Sequence, residues 1–157
     1  LIAPTILLSR YFTLADLCRS ETALADGIDN SPPPELLGNL RRLAQGLDQI
    51  QDLLRAPLAI SSGFRCALLN ARVGGVPDSQ HSRGCAADFD CPAFGAPIEF
   101  AAAVVRSSIA FDQIILEYGR WVHVSFTETP RRRALTIYGS EPGYCEGVLD
   151  RDGTRVA

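Results

Sequence analysis

A chain of 157 residues, 46% of them hydrophobic, is long enough to bury one core and needs no second domain. Its net charge is −3 and all fifteen of its cations are arginines, so it lacks the dominant basic field that drives non-specific nucleic-acid binding, and nucleic acid is not expected as a partner. The apolar opening LIAPTILL is shorter than a membrane-spanning helix and lacks the charged flank and cleavage site of a signal peptide, so neither feature is expected.

In chain order, YFTLADLCRS sets Thr13 before an apolar pattern with Asp16 three residues on, a capping-box start that predicts a short helix. SPPPELLGNLRRLAQGLDQIQDLLRAP opens with prolines suited to a first turn. It then repeats Leu36, Leu40, Leu43, Leu47, Ile50 and Leu54 at steps of three and four, the spacing of the longest helix with one buried face. Beyond Pro57, LAISSGFR reads as a strand ending at Gly63, CALLNARVG as a short helix closed by Gly74 and Gly75, and CAADFD as a strand. PIEFAAAVVRSS is helical; FDQIILE, WVHVSF and ALTIY follow as three strands in an expected antiparallel meander. The sum is an α+β domain over residues 1–157, with N-terminal helices packed on a small, mainly antiparallel sheet. Its core spans about residues 12–140, and a loosely held tail is expected after about Glu146.

Five cysteines, an odd number without CxxC spacing, argue against both a complete disulfide framework and a four-cysteine zinc site; most are expected to be small buried residues. The stretch DSQHSRGCAADFDC, Asp78 to Cys91, nevertheless gathers one of the two histidines, two cysteines and three aspartates. Alternation along a strand sends Ala87 and Phe89 to one face and Asp88 and Asp90 to the other. In WVHVS the same alternation separates Val122 and Val124 from Trp121, His123 and Ser125. Gly84 lets the loop carrying His81 turn back, so His81, Asp88 and His123 can converge. Two imidazoles and one carboxylate leave a fourth position for water, the composition of a catalytic zinc site. Read singly, the same residues are an ordinary loop histidine, a strand-end aspartate and a half-buried histidine.

The run SGFRCALLNARVGGVPDSQHSRGCAADFD, with WVHVS some thirty residues later, resembles the zinc D-alanyl-D-alanine carboxypeptidase and L-alanyl-D-glutamate endolysin family of M15A-like peptidases. The family pattern SxHxxGxAxD is matched by Ser79, His81, Gly84, Ala86 and Asp88, and its late xVHxS run by Val122, His123 and Ser125. The resemblance extends from about Phe12 to Tyr138. It implies one zinc ion per chain held by His81, Asp88 and His123, a peptidoglycan stem peptide as substrate, and action at the bacterial cell wall or periplasm. It implies that Arg65 contacts the substrate or the developing oxyanion, against the alternative of a surface salt bridge, and that Ser79 makes a substrate or loop hydrogen bond.

Endolysin relatives place an acid three positions before the last histidine, where this chain has Arg120. Glu117 stands in for it if Tyr118, Gly119 and Arg120 form a three-residue loop, because Glu117 then pairs with Trp121 and shares the face of His123. Asp112 has the opposite parity, and Asp90 suits a strand-end hydrogen bond. Trp121 either walls the cleft as a substrate contact or simply packs. Arg131 to Arg133 read as a solvated turn, with binding to anionic wall polymer as the alternative. The leading expectation is a zinc peptidase cutting peptidoglycan peptides; its rival, favoured by Arg120, is a non-catalytic zinc-stabilised binding module of the same fold.

Overall fold

The structure is a computed structural model describing residues 5–157; the first four residues of the apolar opening lie outside the described residues. No helix among the described residues is long and apolar enough to cross a membrane. Helix α1, Leu14–Cys18, starts at the Thr13 box: Thr13 Oγ1 accepts from Asp16 N, and Asp16 returns the bond to Thr13 N at 2.7 Å. Helix α2, Glu21–Asp26, was not anticipated; Ser20 caps its start and Gly27, at φ +64°, closes it. A single 3-10 turn, Pro34–Leu36, leads into α3, Leu37–Leu54, which carries the expected apolar stripe. Two more helices follow, α4 (Ala67–Arg72) and α5 (Pro97–Arg106).

Among the described residues six strands form one sheet in the order β1-β2-β4-β3-β5-β6: β1 Ala59–Ser62, β2 Ala86–Asp90, β3 Gln113–Glu117, β4 Trp121–Ser125, β5 Arg133–Ile137 and β6 Cys145–Glu146. All neighbours are antiparallel except β3 and β5, so the molecule is α+β with a mainly antiparallel sheet. The last three major strands therefore do not form the expected meander. Strand β2 occupies the edge of β4 that β5 would need, pairing Asp88 with His123, so the returning chain adds to the far side of β3 in parallel.

One face of the sheet is apolar. Ala87, Phe89, Ile114, Leu116, Val122 and Val124 share a core with Leu40, Leu43, Leu47 and Ile50 of α3 and Phe100, Ala101 and Val104 of α5. The opposite face carries Asp88, Gln113, Ile115, Glu117, Trp121 and His123 and opens into a cleft. Helices cover one side of the sheet and the chemistry lies on the other.

Three expectations need correction. The segment after Glu146 is no loose tail: Val148 is fully buried, exchanges backbone bonds with Val156 and Ala157, and joins the core. Its apolar residues, not its position near the end, decide its order. Of the cysteines, Cys85 and Cys91 are buried, but Cys18, Cys66 and Cys145 are only half-buried; all five are free thiols. The arginines at 131–133 are exposed yet each is engaged. Arg131 binds Asp112, Arg132 reaches the carbonyls of Val105, Ser107 and Ile109, and Arg133 pairs with Glu146.

Candidate metal centre and cleft

His123 leaves the core because Val122 and Val124 enter it, and the register sets it directly opposite Asp88. His81 arrives from the loop after α4. Gly84, at φ +68°, turns that loop back, and a side chain there would press on Leu40. The loop is fastened to the end of β1: Arg65 N donates to His81 O at 3.3 Å, and His81 Nδ1 meets Gly63 O at 2.7 Å. A carbonyl only accepts, so His81 Nδ1 carries the proton and Nε2 presents a lone pair.

Three ligand atoms then converge. His81 Nε2 lies 3.2 Å from His123 Nδ1 and 3.2 Å from Asp88 Oδ1, and His123 Nδ1 lies 3.0 Å from Asp88 Oδ1. Both histidines are buried and Asp88 is nearly so. This is a group that could hold a metal ion. Cys85 and Cys91 take no part: Cys91 faces the carbonyls of Ala56 and Pro57, Cys85 that of Arg83, and burial pushes both thiols up, away from the thiolate a metal needs.

The cluster forms the floor of a cleft of about 750 Å³ lined by Arg65, Ser79, Glu117, Tyr118, Trp121 and Tyr144 among others. Glu117 pairs with Trp121 across the three-residue loop and lines the cleft with His123. Burial raises its carboxyl and the Asp88 charge adds to the rise, while His123 and Arg65 oppose it. Arg65 lies between two bonds from the buried Asn30, which donates to Phe64 O and accepts from Cys66 N. The Arg65 Nε is buried with no partner among the described residues, and burial lowers the guanidinium's affinity for its proton. Ser79 Oγ accepts from His81 N at 3.2 Å and so shapes the loop. Trp121 is half-buried and packs on Tyr118 at 5.5 Å between ring centroids. Asp90 caps its own strand end through Cys91 N. Arg120 lines a separate groove with Tyr138 and Arg151.

Gln80, Asp112, Arg131 and Tyr144 were not anticipated at the site. Gln80 bridges His123 and Asp112. Asp112 is buried and accepts from Arg131, whose hydrogen bonds are the main cause holding its carboxyl well below the usual range. The sequence signal was slight: Gln80 adjoins a candidate ligand, but its partners lie 32 and 43 residues away.

A buried pair of imidazoles and a nearly buried carboxylate, able to hold a metal ion, thus lie on the floor of an open cleft. The peptidase M15 family model matches residues 10–125, roughly three quarters of the chain, and the chain belongs to that family. It is thus a peptidase of the M15 type, acting on peptide substrates. No curated protein matches the chain closely enough to count as a relative.

Proposed function

We propose that this chain is a zinc-dependent peptidase that hydrolyses stem peptides of peptidoglycan at the bacterial cell wall. The observation that carries the reading is the triangle of His81 Nε2, Asp88 Oδ1 and His123 Nδ1, with sides of 3.0–3.2 Å. Tetrahedral zinc with bonds of about 2.0–2.1 Å separates its ligand atoms by about 3.3 Å, so the donor set fits the ion in kind and spacing. When bound, zinc would supply a Lewis acid for the scissile carbonyl and lower the pKa of water.

The chain's own residues account for the remaining steps. Glu117, half-buried with a raised carboxyl, accepts a proton from the attacking water and returns it to the amide nitrogen as the C–N bond breaks. Arg65, with a buried and unpartnered Nε, donates to the oxygen that becomes negative in the tetrahedral intermediate. Trp121 and Tyr118 wall the cleft, and Ser79 is close enough to the floor to contact substrate. A second groove of about 540 Å³ shares Arg65 and Val73 with the cleft, which gives an extended peptide room to run past the reacting bond.

The test is mass spectrometry of muropeptides after incubation with zinc-loaded protein. Loss of D-alanine identifies carboxypeptidase action, and release of L-alanine-linked glycan from the remaining peptide identifies L-Ala-D-Glu endopeptidase action. Unchanged muropeptides from a zinc-loaded, folded chain would favour the binding-module reading.

A further inference from the structure

The two histidines of the cluster face it through different nitrogens, His81 through Nε2 and His123 through Nδ1. Gly63 O fixes the choice for His81. His123 has no backbone carbonyl in that role; its Nε2 instead lies 3.3 Å from Gln80 Oε1. Gln80 is itself constrained, because its Nε2 donates to Asp112 Oδ2 at 2.9 Å.

The direction of each bond can be deduced from the far end. Arg131 grips Asp112 with Nε at 2.9 Å, a terminal nitrogen at 2.7 Å and its own backbone N–H at 3.2 Å, and Ser125 Oγ adds a bond at 3.3 Å. An ionised carboxylate so held is acceptor-only, so the Gln80 amide must turn its NH₂ toward it. The Gln80 carbonyl oxygen is then left facing His123, and a carbonyl only accepts. His123 must therefore carry its proton on Nε2, which leaves the Nδ1 lone pair directed at Asp88 and His81.

We infer that Gln80 and Asp112, with Arg131 behind them, are positioning residues that fix the tautomer and ring orientation of His123 as a metal ligand. The inference rests on the zinc reading above and deepens it. The relay lies outside the cluster itself, and Asp112 is 2% exposed, so its bonds are not open to exchange with solvent. Outer partners of this kind typically change metal affinity by about 10- to 100-fold when removed.

The experiment is zinc competition against a chromophoric chelator on the full chain, paired with NMR of the imidazole N–H groups in the zinc-loaded protein. The wild-type chain should show a slowly exchanging, hydrogen-bonded Nε2–H on His123. Gln80→Met keeps the length of the side chain but offers no carbonyl; it should bind zinc about 10- to 100-fold more weakly and lose that protected signal while keeping its fold. Asp112→Asn should move both readouts in the same direction, because an amide no longer dictates which way Gln80 turns. Wild-type zinc affinity with an unchanged Nε2–H signal in Gln80→Met would overturn the inference and leave the zinc site standing. If that variant does not fold, an unprotected His123 Nε2–H in the wild-type protein overturns it equally. A folded wild-type chain that takes up no zinc would overturn the zinc reading itself.

Discussion

Burial and the Asp88 charge raise the Glu117 carboxyl, and a raised carboxyl is a stronger base once it ionises. Because the reaction needs the ionised form, kcat/KM is expected to climb with pH through a limb set by the Glu117 carboxyl. Glu117→Gln should remove that limb and lower turnover by about 100- to 10,000-fold, with zinc still bound. Ordinary turnover in that variant would contradict the role. Arg65→Ala should leave folding and metal content intact and cost about 100- to 1,000-fold in kcat, measured on the same peptide. Glu117 was legible because parity and loop length alone put it opposite Trp121, and the observed register agrees. Gln80 and Asp112 were not, because what recruits them is a set of side-chain bonds between distant residues that leaves no periodic trace. Parity set Asp112 aside as a base, but it could not reveal that the carboxylate bonds Gln80 and Ser125, one step behind the His81–Asp88–His123 cluster.

Among the elements, those with local causes were legible and those with competitive causes were not. The Thr13 box, the apolar stripe of α3 and the alternation in β2 and β4 each follow from neighbouring residues, and each appears where expected. The position of β5 depends on which strand has already claimed the edge of β4, a contest between segments distant in the chain. Helix α2 has a serine cap and a closing glycine but only six residues, too few for a periodic pattern to stand out. The end of β1 shows how an element serves the site. A Cβ on Gly63 would come within 2.2 Å of Leu17 O, a backbone atom that cannot swing aside. Gly63→Ala should therefore push β1 from α1, costing about 1–3 kcal/mol of stability as other overpacking changes do. It should also weaken zinc binding, because Gly63 O orients His81. Urea unfolding and chelator competition measure the two effects; a variant as stable as wild type would show that the strand end gives way freely.

Across the whole molecule, charge links stability to pH through the Asp112–Arg131 pair. The folded Asp112 carboxyl lies below its unfolded value, so its contribution is fully present above about pH 4 and is lost as pH falls through the folded value. Arg131→Ala should cost about 1–3 kcal/mol near neutrality, and the gap from wild type should shrink in strong acid; a gap that widens on acidification would reverse the assignment. Zinc should stabilise the fold by mass action, by about 2.7 kcal/mol at a hundredfold excess over Kd, and a chelator should remove that gain. The core on one sheet face and the cleft on the other are joined by β2 and β4, which contribute alternate residues to each. The measurement that tests this account most directly is the zinc content of purified wild-type chain and of single variants by elemental analysis. Wild type should hold one zinc per chain, His81→Ala, Asp88→Ala and His123→Ala should lose most of it, and Cys85→Ser and Cys91→Ser should keep it. Zinc retained by the His123 variant and lost from either cysteine variant would contradict the account.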